Sequence, residues 1–287
     1  LDGVIVATPN ISHASIVMDV LQSGAAVLCE KPLGCLPKEV ESMCEAARRA
    51  DLPLTAGYPS SLRPEVAKLR DRCRRGDLGQ IQSVKVEWLR SKGTPSGWFV
   101  DRSLSGGGVL LDLGSHVLHA VMTCLTTDSI AKSVCIQRGR GASGGGPAGW
   151  YGGADITGCD VEVAAEGFVA FANGIGLTIN VAWDCATPRD RTVIEIRGTA
   201  GEGRIDTLFG FSPHGDRPQY PLSIYRSDAD GVLAYRAPAD PSQPHRALLA
   251  KFLASIGTGF QYDMHLRAAL DTAEITAALY AAAEKRA

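Results

Sequence analysis

Apolar residues recur along this chain with two different periods, and the change from one to the other divides it. Residues 4–7 (Val-Ile-Val-Ala) form a short, continuous, largely β-branched run, the kind that fills a parallel sheet buried on both faces. The run stops at Thr8-Pro9-Asn10. Ile16, Val17, Val20 and Leu21 then fall on one face of a helix over 12–23, with Gly24 just past its end. A second strand is predicted at 26–29, a helix rich in Glu, Ala and Arg at 37–50, and a third strand at 52–56. This β-α-β-α-β order implies parallel strands joined by right-handed crossovers.

Beyond Tyr58 the pattern changes. A helix at 65–75 leads to a nine-residue alternating strand at 81–89, and a glycine-rich turn opens a helix at 109–125. From 134 to 235 the period is mostly two, with strands at 161–171, 176–183 and 193–197, and helices close the chain at 245–256 and 265–285. The stretch 139–153, GRGASGGGPAGWYGG, is too rich in glycine for a regular element and reads as a loop. The fold class is therefore α/β plus α+β. A partial Rossmann-type parallel sheet (1–58) precedes a larger domain (59–287), with an open, mainly antiparallel sheet carrying helices on one face. The other face is expected to expose apolar alternation and to be covered by a second copy, giving a homodimer or homotetramer.

Composition narrows the function classes. At 287 residues the chain has room for about two domains. A net charge of −2 argues against a nucleic-acid surface or a polybasic membrane patch. No apolar run approaches the roughly 20 residues of a membrane-spanning helix, and no basic start followed by an apolar run marks a signal peptide. The eight cysteines are scattered and make no C-x-x-C pair, which favours reduced thiols in a cytoplasmic protein over a disulfide scaffold or a zinc site. The sequence opens almost inside its first strand, without Met, so two βα units and a G-x-G-x-x-G turn are expected upstream of Leu1.

Three clusters carry candidate chemistry. Glu30-Lys31-Pro32 follows the second strand, at the carboxyl edge where open parallel sheets take ligands. A lysine there can hold a hydroxyl or carbonyl oxygen and stabilise developing charge; it could equally be a surface lysine before a turn proline. In Gly106-Gly107-Gly108-Val109-Leu110-Leu111-Asp112-Leu113-Gly114-Ser115-His116, Asp112 and His116 are four apart. On an α-helix they would share a face, and the carboxylate would orient the imidazole and raise its pKa, as suits a general base; a solvated i,i+4 pair or a buried, satisfied histidine is the plain alternative. The glycines imply close backbone approach to a ligand or to another element. Thr8-Pro9-Asn10 with His13 ends the first strand, where a cofactor ribose or amide could bind or a turn could simply cap a helix.

Taken in order, Ala7-Thr8-Pro9-Asn10 with His13, Ser23-Gly24 through Glu30-Lys31-Pro32, and Gly106 through His116 resemble the glucose–fructose oxidoreductase / inositol dehydrogenase / MocA family. Trp98, Phe171-Ala172-Asn173-Gly174 and Gly198-Thr199-Ala200-Gly201 extend the resemblance over essentially the whole chain. It implies NAD or NADP as cofactor and a sugar or polyol as substrate. It also implies Lys31 as catalytic lysine, Asp112 and His116 as acid–base pair, and Thr8, Pro9, Asn10, His13, Glu30, Lys31, Pro32 and Trp98 near the cofactor. It further implies a Lys31–Pro32 bond that is often cis.

Two positions depart from the family pattern. Gly57-Tyr58-Pro59-Ser60-Ser61-Leu62 stands where G-F-N-x-R-F is common, and His119 where an Asp often follows the histidine. Both departures put the substrate in question more than the reaction. The expected activity is interconversion of a secondary alcohol and a ketone on a sugar, amino sugar or cyclitol. The alternatives are an NAD-dependent glycosidase of the same family, distinguished by the absence of net NADH, and an inactive homologue serving only in association.

Overall fold

A computed structural model describes residues 1–91, 93–139, 158–185, 187–210, 215, 217–229, 231–236, 240 and 242–285. All but the first residue of the glycine-rich stretch 139–153 falls outside them. Strands β1 (Gly3–Val6), β2 (Ala26–Glu30) and β3 (Leu54–Gly57) pair in parallel in that order, with α1 (His13–Gln22) and α2 (Pro37–Ala50) as the crossovers. Helix α2 starts where it does because Pro37 occupies its first turn and the Glu39 carboxylate accepts from the Cys35 and Leu36 N–H groups. All five residues of β2 are well covered, since helices lie on both faces of this sheet.

The remaining elements, apart from the two C-terminal helices, build the second layer. They are α3 (Pro64–Arg74), β4 (Ile81–Leu89), a short α4 (Arg102–Ser105), a π-helical turn at Leu110–Gly114 continuing as α5 (Ser115–Met122), β5 (Ile130–Arg138) and β6 (Ala164–Phe171). Then come β7 (Gly176–Ala182), β8 (Arg191–Gly198), β9 (Gly201–Thr207), β10 (Leu222–Arg226), β11 (Val232–Tyr235), α6 (Gln243–Ser255) and α7 (Met264–Glu284). Eight strands form one sheet in the order β11-β10-β9-β8-β4-β7-β6-β5, antiparallel throughout except for the parallel pair β4–β7. Val84, Val86, Trp88, Leu177, Ile179, Ile194 and Ile196 point inward from alternate positions and pack with Val117, Leu118 and Val121 of α5.

Helix α7 joins the two layers. Leu266, Ala269 and Ala273 pack with the core of the first sheet, while Ala268, Ile275 and Leu279 pack with that of the second. Helix α6 covers the other face of the first sheet, where Leu248 and Phe252 meet Ala26 and Leu28.

The outward face of the large sheet corrects the apolar alternation expected of it. It carries a charged ladder in which Arg197 bonds Glu195 (2.7 Å) and Glu202 (2.8 Å), and Arg204 bonds Glu195 (2.9 Å) and Asp206 (3.1 Å). Among the described residues, exposed apolar side chains on this face include Ile136, Phe168 and Tyr225, towards the sheet's two ends. The charges stand at alternate positions in the sequence itself, at Glu195, Arg197, Glu202, Arg204 and Asp206, and the expectation of an apolar face passed over them.

Candidate active site

Strand β2 delivers Lys31 to the carboxyl edge of the parallel sheet, and the Lys31–Pro32 peptide bond is cis, as the resemblance implied. The Lys31 side chain reaches across to the other layer. Its Nζ donates to Asp112 Oδ1 at 2.5 Å and lies 3.5 Å from the Asp112 carbonyl oxygen. The second carboxylate oxygen, Oδ2, accepts from Trp183 Nε1 at 2.8 Å. Burial by itself pushes the Asp112 carboxyl up. The Lys31 and Arg90 charges and the two hydrogen bonds outweigh it and hold the pKa at about 2. Asp112 is therefore a fixed anion at neutral pH.

His116 lines the same cleft, but its partner differs from the one expected. The π-helical turn at Leu110–Gly114 adds a residue to the local hydrogen-bonded ring, so positions four apart no longer stack as they do on an α-helix. The Asp112 carboxylate turns to Lys31 and Trp183, and His116 Nδ1 stands 3.4 Å from the Ser60 hydroxyl instead. The expected rise in the His116 pKa is also corrected. Burial dominates and pushes it well below the ordinary histidine range; Lys31 adds to the fall, and the opposing pull of Asp112 is smaller. The imidazole is neutral at pH 7, with a lone pair available to accept a proton.

The three glycines before this segment allow close approach to other parts of the protein. Gly106 has a φ of 76°, and a Cβ there would sit 2.7 Å from Cys35 Sγ of the first layer. A Cβ on Gly107 would stand 2.3 Å from the Tyr280 hydroxyl, and one on Gly108 2.0 Å from the Glu162 carbonyl oxygen. In the space so left, the Glu162 carboxylate accepts from the Gly108 and Leu110 N–H groups, each at 3.0 Å, and from the Tyr280 hydroxyl at 2.7 Å. It caps the start of the helix that carries Asp112 and His116.

Lys31, Asp112, His116 and Glu30 share one cleft, whose walls also include Ser60, Arg63, Trp88, Arg90, Phe99 and His245. Other residues from the cofactor motifs stand behind or beside it. His13 is fully buried, with Nδ1 2.8 Å from the Pro32 carbonyl and Nε2 2.9 Å from the Thr8 carbonyl. It braces the two strand ends against each other, with both ring nitrogens committed to the main chain. Asn10 is likewise committed, its amide donating to the Ser105 carbonyl at 2.8 Å. The Thr8 hydroxyl accepts from Ser12 at 2.8 Å, and the Pro9 carbonyl ends the turn by accepting from the same hydroxyl at 2.7 Å. Trp98 stacks on Phe99 with ring centroids 4.0 Å apart, and it is Phe99 that lines the cleft.

Comparison with known proteins agrees with this architecture. A family model described as an oxidoreductase family with an NAD-binding Rossmann fold matches residues 1–58, and the GFO/IDH/MocA C-terminal domain matches 66–204. The chain belongs to the GFO/IDH/MocA family. Among its relatives is a putative UDP-kanosamine synthase oxidoreductase subunit from Amycolatopsis mediterranei, 33% identical over 79% of this chain and 63% of that one. Another is the D-glucoside 3-dehydrogenase of Escherichia coli, 32% identical over 60% of this chain and 49% of that one. The chain thus spans about half to three fifths of the length of these two curated relatives. Levoglucosan dehydrogenase in complex with NADH and levoglucosan superposes with a TM-score of 0.79 at 19% identity, covering 100% of this chain and 79% of that one. At that identity the likeness speaks to the fold alone.

Two departures from the GFO/IDH/MocA pattern now have a physical reading. His119, where Asp is common, faces away from the cleft: it is fully buried, stacks on Tyr58 at 3.9 Å, and bonds the His265 carbonyl at 3.0 Å. Its bearing on substrate choice is therefore indirect. Pro59 and Ser61 take the place of the lost Asn and Arg: Pro59 lines the cleft beside Ser60, while Ser61 is fully buried and its hydroxyl donates to the Tyr58 carbonyl at 2.8 Å. Sequence reasoning missed the wall residues Arg63, Trp88, Arg90, Phe99 and His245. The signal available was position alone: Trp88 and Arg90 stand at the end of β4, Arg63 just before α3 and His245 in the first turn of α6.

Proposed function

We propose that this GFO/IDH/MocA protein is an NAD(P)-dependent oxidoreductase that interconverts a secondary alcohol and a ketone on a sugar, amino sugar or cyclitol. The observation that carries the proposal is the convergence of Lys31, Asp112 and His116, from opposite layers, on one cleft beyond the parallel strands. The residues present fit the nicotinamide end of a dinucleotide: the cleft adjoins the ends of β2 and β3, and Glu30 and Lys31 supply an acceptor and a donor there. Thr8, Pro9, Glu30, Lys31 and Pro32 would hold it, with Asn10 and His13 bracing them from behind. When bound, the nicotinamide supplies the acceptor or donor of hydride.

The chain's own groups supply the rest. The Lys31 ammonium holds the substrate oxygen and stabilises negative charge as it develops. Neutral His116 takes the hydroxyl proton as the C–H hydride leaves, so the alcohol becomes a ketone with one proton on imidazole. Asp112 keeps Lys31 in place. Arg90, close enough to depress both Asp112 and His116, adds a second positive charge at the floor. We place the border of the nucleotide-binding part near residue 58 and assign 59–287 to the substrate part.

The name of the D-glucoside 3-dehydrogenase relative favours C3 of a glucose-configured ring as the first position to test. Incubation with NAD+ or NADP+ and a panel of glucosides, free aldoses, amino sugars and inositols should give reduced nicotinamide and a keto product with at least one member. No turnover across the panel would sink the proposal. Glycoside cleavage without net reduced cofactor would replace it with the NAD-dependent glycosidase. Copies are further proposed to pair across the open sheet face, through the charged ladder and Phe168. Sedimentation at micromolar concentration should then show a dimer or tetramer that weakens with salt; a monomer at low salt would remove this part.

A further inference from the structure

Trp183 lies just beyond β7, fully buried, and its indole N–H donates to Asp112 Oδ2 at 2.8 Å. We propose that Trp183 is a positioning residue for the reaction: by occupying Oδ2 it aims Oδ1 at Lys31 and so fixes where the ammonium stands in the cleft. The inference rests on the assignment of Lys31 and Asp112 made above.

The geometry divides one carboxylate between two donors from opposite layers. Lys31 approaches Oδ1 from the parallel sheet, and Trp183 approaches Oδ2 from the large sheet. The carboxyl torsion of an aspartate is broad and roughly two-fold, so with one donor it could swing. An indole can only donate, and it neither takes a proton nor competes for the ammonium. It is also the stiffer anchor. Its ring is packed without exposure and its own backbone N–H is tied to the Val163 carbonyl at 3.0 Å. Lys31 has three donors. One goes to Oδ1 and a second faces the Asp112 carbonyl at 3.5 Å, which leaves the third for a substrate oxygen. Were Oδ2 released, the carboxylate could rotate to bridge the ammonium or turn towards His116, and that third donor would lose its direction.

The test uses the whole chain with 15N-labelled tryptophan and 13C-labelled aspartate, and the Trp183 indole signal is identified by its loss in Trp183→Phe. In Asp112→Asn the charge-assisted bond weakens, so the Trp183 N–H signal should move upfield by more than those of the chain's other three tryptophans. In Trp183→Phe the Asp112 carboxyl should titrate higher, by about tenfold in proton affinity. For any dinucleotide–sugar pair that turns over, Trp183→Phe should lower kcat about ten- to a hundredfold, with the cofactor KM little changed. A Trp183 signal indifferent to Asp112→Asn overturns the proposal, as does an Asp112 titration indifferent to Trp183→Phe. Should Trp183→Phe fail to fold, the losses in Trp88→Phe, Trp98→Phe and Trp150→Phe assign the other three indole signals, and the remaining signal's response to Asp112→Asn decides alone. Failure of the catalytic assignment shows differently: no pair turns over, while both spectra still report whether Trp183 sets the carboxylate.

Discussion

Lys31→Ala and His116→Ala should each lower kcat by roughly a thousandfold, and the double variant should lose far less than the product of the two. General acid–base groups and preorganised donors are each worth about a hundred- to ten-thousandfold. Groups serving one transition state fail together, because once either is gone the other has no step to assist. In the proposed mechanism the coupling has a route, since Lys31 would hold the oxygen whose proton His116 would take, and Lys31 adds to the fall in the His116 pKa. Because that pKa lies well below the ordinary value, the imidazole stays neutral through the neutral range. The acid limb of the kcat profile should accordingly fall below about pH 6.5, the unperturbed histidine value. Steady-state kinetics of the two single variants and the double variant, on whichever sugar turns over, checks both points. His116→Ala with near-normal turnover at neutral pH would remove the histidine from the mechanism.

The second large effect is on stability in acid. His265 is buried and its pKa is lowered to about 4, chiefly by burial; Lys251 adds to the fall and Asp263 opposes it. His116 and His119 are lowered well below the ordinary value, again chiefly by burial. A histidine that titrates near 6.5 when unfolded and near 4 when folded gives the unfolded chain extra bound protons between those values. Its contribution is complete above pH 6.5 and is lost as the pH falls towards 4. At about 1.4 kcal/mol per unit, His265 alone accounts for ~3 kcal/mol, a large part of the 5–15 kcal/mol typical of a domain. The buried Asp112 titrates lower still, so its share is lost only below the ordinary carboxylate range, towards pH 2. Urea unfolding at pH 7 and pH 4.5 should show the steep fall, and His265→Gln should flatten it. A stability unchanged between those two values would contradict neutral burial of the cluster. His119 adds to this, since protonating its Nδ1, which has no hydrogen-bond partner among the described residues, would bury an unpaired N–H.

What the sequence determined is what depends on near neighbours along the chain. The period-two and helical patterns gave Ile81–Leu89 with both ends right and placed the three parallel strands, three strands of the large sheet and most helices with shifts of a few residues, while Ile130–Arg138, Gly201–Thr207, Leu222–Arg226, Val232–Tyr235 and the short helix Arg102–Ser105 were not located individually. Those signals survive because backbone hydrogen bonding and alternate burial are local. The motif order from Thr8 to His116 carried the family, and the strand-end position of Lys31 put it at the ligand edge before any contact was known. Tertiary structure decided the partners. Asp112 took Lys31, 81 positions away, and Trp183, 71 positions away, instead of the histidine four residues on. The glycines at 106–108 met Cys35, Tyr280 and Glu162. His13 turned both nitrogens to the main chain, and Arg63, Arg90 and His245 arrived at the cleft from three separate elements. A side chain's hydrogen bonds and pKa follow from what surrounds it in space. In a folded chain those neighbours come from distant segments, and no local spacing encodes them.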